Sequence, residues 1–420
     1  MTIEIINTGS ELLSGSVLNT HQQWLCNKLF QLGYRVSRQI TTSDTAEDIK
    51  TAVLDSINRA DVIITTGGLG PTSDDRTRDV IAEIFGRKLI YDENVAEQIK
   101  NYFALRKRHQ PESTKIQAYV PECATVLQNQ FGTAPGIVIE AMVKASHQPR
   151  KVLLIMLPGP PRELYPMFEN QVIPLLKEKV PPPYFVSKII KTTGIGESKV
   201  EEIVGEKLKP CEKNGLILGY CARVGEVDLR LEAFGNDAHK IVNQAEQIIR
   251  ESIGEYIYGE GNQTLEAVIV EILKKKGLTV SFAESCTGGF VSHRITNVPG
   301  ASEVFWGGIV SYANDAKMKV LGVKEESLNK FGAVSEQVAK EMADGLRKLA
   351  KTDFAVSLTG IAGPSGGSPE KPVGTVYIGL SHKNGTVAKR NFNPYDRLTF
   401  KQVTSQQAFE LLRRELLKIS

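Results

Sequence analysis

The stretch Asp61-Val62-Ile63-Ile64-Thr65-Thr66-Gly67-Gly68-Leu69-Gly70-Pro71 decides how the first part of this chain folds. Residues 61–66, rich in β-branched side chains, read as a buried strand. The Gly/Pro cluster ends it, and residues 74–85 resume as a helix. The same order stands at the N-terminus, where residues 3–7 are a short apolar strand, a Gly-containing loop follows, and residues 20–32 carry a helical pattern. Ile49, Val53 and Ile57 share one face of a helix over residues 46–58. Residues 151–156 add a strand that Pro158-Gly159-Pro160-Pro161 closes, and the helical segment behind it fades near Val180. This alternation specifies an α/β fold with a mostly parallel sheet.

The chain is 420 residues and 46.2 kDa, which at roughly 100–200 residues per domain means two to four domains. Pro181-Pro182-Pro183 is the clearest linker, since three prolines can join neither a helix nor a sheet ladder. Beyond it the texture changes. Residues 185–192 are strand-like, 197–208 helical, 216–220 and 227–233 strand-like, and 239–252 helical, a small α+β module of about seventy residues. Its Gly194-Ile195-Gly196 suits a phosphate or RNA-binding loop, but a strand-to-helix turn is the plainer reading. In the third part, Leu265, Val268, Ile269, Ile272 and Leu273 make an amphipathic helix. Residues 279–283, 354–358 and 373–380 are strands, and a closing helix carries Ala408, Leu411, Leu412 and Leu416. The expected domains are 1–180, 181–256 and 257–420.

Composition narrows the function. Hydrophobic residues at 41% and charged ones at 24% exclude a disordered or fibrous chain. A formal charge of +3 and no basic, aromatic-interleaved stripe argue against direct nucleic-acid binding. The apolar run 152–157 is far short of a bilayer span. The opening Met-Thr-Ile-Glu-Ile-Ile-Asn lacks a basic, apolar signal pattern, so the expectation is a cytoplasmic protein without membrane attachment. Five scattered cysteines without Cys-x-x-Cys, and six isolated histidines, argue against a disulfide framework or a zinc site.

Three places can carry chemistry. Ala283-Glu284-Ser285-Cys286-Thr287-Gly288-Gly289 sits where a strand hands over to a helix, a junction that presents a small nucleophile beside backbone N–H groups. Downstream, Asn314 or Asp315 can cap a helix that holds Lys317 in its first turn, where the dipole and partial burial disfavour the ammonium form. Lys317 then suits a neutral base for the Ser285 hydroxyl, with Tyr312 as a proton relay. Spacing alone favours the plainer alternative, in which Ser285 caps a helix, Lys317 is solvated and Tyr312 packs; Cys286 reads as a buried structural thiol. The second place is Thr359-Gly360-Ile361-Ala362-Gly363-Pro364-Ser365-Gly366-Gly367, a phosphate cradle or a long surface turn in equal measure. The third is the Gly67–Gly70 loop with Asp74 and Asp75, at the carboxyl end of a strand. Those aspartates suit Mg²⁺ against a diphosphate, while a capping role at the helix start weighs slightly more.

At these residues the sequence resembles the CinA (competence/damage-inducible protein) family over nearly its whole length. Gly9-Ser10-Glu11-Leu12-Leu13-Ser14-Gly15 with Asn19, the loop 67–77, Gly132-Thr133-Ala134-Pro135-Gly136 and Leu157-Pro158-Gly159-Pro160-Pro161 look like the family's N-terminal domain. That domain is similar to the molybdopterin-binding MoaB/Mog proteins, and in some members it hydrolyses ADP-ribose with a divalent metal (Mg or Co type) and K⁺. The resemblance places Glu11, Asn19, Gly67, Gly68, Gly70 and Gly159 in that pocket and Asp74 and Asp75 at the metal. The middle module resembles a KH-like domain. The third part resembles the nicotinamide mononucleotide (NMN) deamidase domain, with Ser285 as nucleophile, Lys317 and Tyr312 as its partners, and no cofactor. Thr287, Gly288, Gly289, Thr359, Gly360, Gly363, Gly366 and Arg397 are then its substrate-binding residues. The family implies a homodimer acting in pyridine-nucleotide salvage; a non-enzymatic adaptor in competence or DNA repair, and a molybdopterin-binding first domain, are the rival readings. Two positions depart from the pattern. Ser10 stands where Thr is common, and Lys401 where Arg is usual, replacing a planar fork with a point charge.

Overall fold

The computed structural model describes residues 1–144 and 149–419, which fall into two compact units, Met1–Phe185 and Val186–Ser420. In the first, the described residues form a six-stranded sheet in the order Val36–Thr42, Ile3–Thr8, Val62–Thr66, Pro149–Leu157, Gly136–Lys144, Thr125–Leu127. The first four strands run parallel and the remaining pairings are antiparallel, so the sheet is mixed at one side. Apolar residues alternate between two cores. Ile5, Ile64 and Ile155 meet the helix Thr20–Gln31 through Leu25 and Leu29, while Ile6, Ile63 and Leu154 meet Ile49, Val53 and Ile57 of the helix Ala46–Ile57. Burial on both faces is why these strands are continuous apolar runs. The helix expected from residue 74 begins at Thr77 instead. The Asp75 carboxylate is tied to the Thr72 amide and hydroxyl, which holds the preceding residues in a loop. The three prolines lie outside any helix or strand, and the Phe185 ring just beyond them meets Phe30 edge-on.

The second unit holds two sheets. Ile217–Arg223, Glu226–Phe234, Phe185–Thr193 and Ile257–Glu260 form the smaller, covered by the helices Glu197–Lys213 and Ala238–Ile253 through Val200, Val204, Ala245 and Ile249. The expected boundary at residue 256 cuts off Ile257–Glu260, which pairs antiparallel with Phe185–Thr193; the middle module ends one strand later. The five-stranded sheet runs Phe305–Val310, Val280–Glu284, Phe354–Gly360, Thr375–His382, Gly385–Phe392, the first three parallel and the others antiparallel. Thr264 caps the helix Leu265–Lys276 and Asp396 caps the closing helix Arg397–Leu417, each by accepting backbone N–H groups. Both helices bury apolar stripes on this sheet, with Phe282 and Phe409 edge to face at 5.8 Å. Ser285, Ser311 and Gly360 all stand at the carboxyl ends of the three parallel strands, the side on which open α/β sheets bind ligands.

Candidate active sites

Residues 32 apart in sequence meet at those strand ends. Lys317 Nζ lies 3.0 Å from Ser285 Oγ, 2.8 Å from the Ser311 carbonyl and 3.0 Å from the Tyr312 carbonyl. The lysine is 1% exposed and Ser285 8%. Burial pushes the Lys317 pKa down, opposed only by the nearby Cys286 thiol, and among the described residues no carboxylate forms an ion pair with it. A neutral amine has two N–H bonds and one lone pair. With the two carbonyls accepting the N–H bonds, the lone pair is left for the Ser285 hydroxyl proton. That arrangement is not a salt bridge, and a neutral amine placed so can act as a base toward the hydroxyl.

The local fold sets this geometry. The strand end presents Ser285, whose amide donates to the Leu358 carbonyl, and Gly288 (φ +60°) and Gly289 (φ +91°) then turn the chain into the helix Phe290–Thr296. Glu284 is fully buried and accepts from the Val291 amide, the Ser292 amide and the Ser292 hydroxyl, pinning the helix start to the strand. Sequence reasoning missed this residue; a lone acid closing an apolar strand is its one signal. Cys286 is buried, which pushes its thiol up to about 12 and leaves it protonated. Thr287 Oγ1 and Ser311 Oγ are buried with no hydrogen-bond partner among the described residues, orphan polar atoms that flank the pair in sequence.

Several expected details change. The helix Asn314–Leu321 starts after Ala313 with no side-chain cap, so neither Asn314 nor Asp315 caps it. Tyr312 contributes its carbonyl to Lys317, while its phenol, on a side chain 61% exposed, accepts from Arg397 at 2.8 Å. Among the described residues this hydroxyl makes no hydrogen bond to Ser285 or to the Lys317 amine. The Gly288 amide donates to the Ser285 carbonyl at 3.1 Å and so is not free as an oxyanion donor. Arg397 also donates to the Gly363 carbonyl at 2.9 Å, joining the closing helix to the loop that holds Gly360, Gly363 and Gly366. Thr359 commits its proton to the Ala333 carbonyl, which leaves only acceptor capacity toward a ligand. Lys401, one turn after Arg397, holds its Nζ 3.8 Å from where a Cβ on Gly288 would stand.

In the first unit a cavity of about 510 Å³ opens at the strand ends, lined among others by Glu11, Gly67, Gly68, Gly70, Asp74, Asp75 and Gly159. Gly68 (φ +67°) admits no side chain, since a Cβ would come within 2.0 Å of Thr77 Oγ1. Asn19, expected in the pocket, is not among the residues that line this cavity; it caps the helix Thr20–Gln31 by accepting from the Gln22 amide. His21, by contrast, was missed among apparently isolated histidines: its ring lines the cavity beside Glu11 and Asp44, and burial pushes its pKa down while Glu11 opposes the shift.

Five carboxylates, Glu11, Asp44, Asp74, Asp75 and Glu163, face this space, and among the described residues no Lys or Arg lines it. Asp44 accepts from Ser10, Asp75 from Thr72 and Glu163 from Asn129, and Asp74 also engages Thr72, which leaves Glu11 the least committed. The described residues contain no group of three or more His, Cys, Asp or Glu side chains able to hold a metal ion. The donor set therefore fits a hard cation held by one or two carboxylates together with water and ligand oxygens, not a preformed cage.

The folds and sites define a mixed α/β protein with a carboxylate-rich cavity in its first unit and a serine–lysine pair in its second. Comparison with known proteins gives it a family. Residues 4–178 match the probable molybdopterin binding domain, 187–259 the damage-inducible protein CinA KH domain, and 262–416 the CinA C-terminal domain. A putative competence-damage inducible protein of Caldicellulosiruptor saccharolyticus is 46% identical over 420 residues, 99% of this chain and 100% of that protein. The CinA-like protein of Kosmotoga olearia is 45% identical over 100% of both chains. The chain belongs to the CinA family. Among solved structures, the competence/damage inducible protein CihA of Agrobacterium tumefaciens shares 42% identity over 36% of this chain and 92% of that one, with a TM-score of 0.35. No helix among the described residues is long and apolar enough to cross a membrane.

Proposed function

We propose that the second unit is an NMN deamidase, a serine–lysine amidohydrolase of pyridine-nucleotide salvage. The observation that carries this reading is the Lys317 amine, buried, without a carboxylate partner among the described residues, and 3.0 Å from Ser285 Oγ. In the reaction, the Lys317 lone pair takes the Ser285 proton as Oγ bonds to the carboxamide carbon. The ammonium then returns that proton to the leaving nitrogen, the C–N bond breaks, and ammonia departs. Water, deprotonated by the same amine, attacks the acyl ester and releases nicotinate mononucleotide and the serine. No redox group enters this scheme. Arg397 and Lys401, one turn apart on the closing helix, suit the substrate phosphate, Lys401 as a point charge. Ammonia release from NMN tests the reading: Ser285→Ala and Lys317→Ala, shown folded by circular dichroism, should each lose about 10²–10⁴-fold in rate. Folded variants with wild-type rates would end it.

The first unit, in the same proposal, hydrolyses ADP-ribose to AMP and ribose 5-phosphate with a divalent metal and K⁺. Its support is the cavity's charge: five carboxylates, with no Lys or Arg among the described lining residues, repel a diphosphate unless cations accompany it. Glu11, Asp74 and Asp75 would hold the divalent ion, which supplies charge neutralisation at the diphosphate. AMP formation measured in Asp74→Asn and Asp75→Asn checks those roles. Titration with ADP-ribose against a pterin separates this reading from molybdopterin binding. A homodimer in the cytoplasm, without direct nucleic-acid contact, completes the proposal, and sedimentation of the purified chain checks its oligomeric part. An adaptor in competence or repair would need neither Ser285 nor Lys317.

A further inference from the structure

Arg294 lies on the helix Phe290–Thr296 that follows the Ser285 turn, is largely buried, and has no part in the chemistry proposed above. Its guanidinium joins that helix to two others. Nη2 donates to Glu266 at 2.8 Å and to the Gln406 side-chain oxygen at 2.8 Å, and Nη1 donates to Ser405 Oγ at 2.8 Å. Glu266 stands on the helix Leu265–Lys276, and Ser405 and Gln406 on the closing helix. A planar fork holds such partners at set angles, which a flexible ammonium does not.

The acceptors are committed to this arrangement. Ser405 gives its own proton to the Gln402 carbonyl at 2.7 Å, so its oxygen is left to accept from Arg294. The Gln406 amide is oriented by charge at both ends. Its oxygen faces the guanidinium, and its nitrogen donates to Glu226 at 2.7 Å and to Thr193 Oγ1 at 3.2 Å. Turning the amide over would set donor against donor and acceptor against acceptor in a residue only 4% exposed. Glu226 and Thr193 belong to the sheet of the middle module. A continuous run of hydrogen bonds therefore leads from that module, through the closing helix, to the helix behind the nucleophile.

Arg397, Lys401 and Ser405 recur every fourth residue and share one face of the closing helix. Phe290 and Arg294 are spaced the same way on their own helix. Lys401 Nζ lies 5.9 Å from the centre of the Phe290 ring, and one turn further along both helices Arg294 meets Ser405. The Arg294–Ser405 contact thus fixes how far the two cations stand from the turn that presents Ser285.

We propose that Arg294 is a positioning residue of the deamidase: it sets the span between the Ser285 turn and the cationic helix face that takes the substrate phosphate. Through Gln406 and Glu226 the middle module shares in that setting. This rests on the deamidase reading. Among the described residues Arg294 makes no hydrogen bond to Ser285 or Lys317, so its loss weakens the hold on substrate rather than the chemical step.

Steady-state ammonia release from NMN by the full chain tests it. Arg294→Met keeps an unbranched stem and removes the fork; KM should rise about tenfold while kcat stays within about twofold. Ser405→Ala deletes one contact and keeps the Arg294–Glu266 pair, so it serves where the methionine variant fails to fold; KM should rise about fivefold. Glu226→Ala should raise KM about threefold, and Glu226→Gln, which keeps an oxygen for the Gln406 amide, should restore it. In a Lys401→Ala background, Arg294→Met and Ser405→Ala should each change KM less than about twofold, because the cation they position is gone. Unchanged KM in folded variants, a fall in kcat alone, or effects that add fully to that of Lys401→Ala overturn the proposal. An indifferent Glu226→Ala overturns the share given to the middle module. A wild-type chain that releases no ammonia ends the deamidase reading and this proposal with it, whereas an active wild type with indifferent variants ends this proposal alone.

Discussion

The Arg397 guanidinium donates to the Tyr312 hydroxyl across 2.8 Å, joining residues 85 apart in sequence, and its second amino group reaches the Gly363 carbonyl. A phenol held in this way orients a cation at the mouth of the site. It does not stand between Ser285 and Lys317, whose nitrogen meets the Tyr312 carbonyl instead. Tyr312→Phe should therefore raise KM for NMN about three- to tenfold while kcat stays within about twofold. Steady-state kinetics decides it: a kcat lower by two orders with KM unchanged would make the phenol a proton carrier after all.

The pH dependence follows from the direction of the Lys317 shift. Burial lowers its pKa, and the amine is a base only when deprotonated. The rate of NMN hydrolysis should rise with pH through that lowered value and level off below the ordinary lysine value of about 10.4. Lys317→Arg keeps a cation of similar length that cannot deprotonate, and should be as inactive as Lys317→Ala. A pH–kcat/KM profile whose acid limb lies at the ordinary lysine value, or an active arginine variant, would remove the neutral-base role.

Glu284 is predicted to be a stability residue. Its carboxylate accepts three hydrogen bonds from the start of the helix Phe290–Thr296 inside a fully buried pocket. Glu284→Gln removes the charge and replaces one acceptor with a donor facing N–H groups. Urea unfolding should show a loss of about 1–3 kcal/mol. An unchanged midpoint would mean the helix start is held by other contacts.

Gly68→Ala should damage the first unit selectively. The backbone there is left-handed and the new Cβ would collide with Thr77. The expected outcome is a destabilisation of more than about 1 kcal/mol and loss of ADP-ribose hydrolysis, with ammonia release from NMN retained. Parallel assay of both reactions on one preparation reads this directly.

Metal removal should separate the two units. In the proposed scheme the divalent ion serves the first unit, at the cavity lined by five carboxylates. Dialysis against a chelator should stop AMP formation and leave NMN deamidation unchanged, with Mg²⁺ or Co²⁺ restoring the former. Deamidation that falls with the chelator would contradict the metal-free scheme for Ser285.

Much of the fold was legible in the chain because its signals are local. Alternating apolar residues place Ile63 and Ile64 on opposite faces of one strand, and Thr264 and Asp396 cap helices within three residues of themselves. Local signals also mislead where a side chain acts at a distance. Asp75 bonds Thr72 and delays the helix to Thr77, and Ile257–Glu260 joins the middle sheet only by pairing with a strand some seventy residues earlier.

The sequence by itself determined the strands, the turns that end them, and the residue types gathered at those ends. A serine, a lysine and two glycine-rich loops could be named there as candidates. Tertiary structure alone decided which of them meet. Parallel pairing of three strands brings Ser285 and Ser311 to one edge, the helix after Tyr312 turns Lys317 back onto both, and burial then strips the lysine of water. A neutral amine is a property of enclosure and of which groups surround it, and neither is encoded by spacing along the chain.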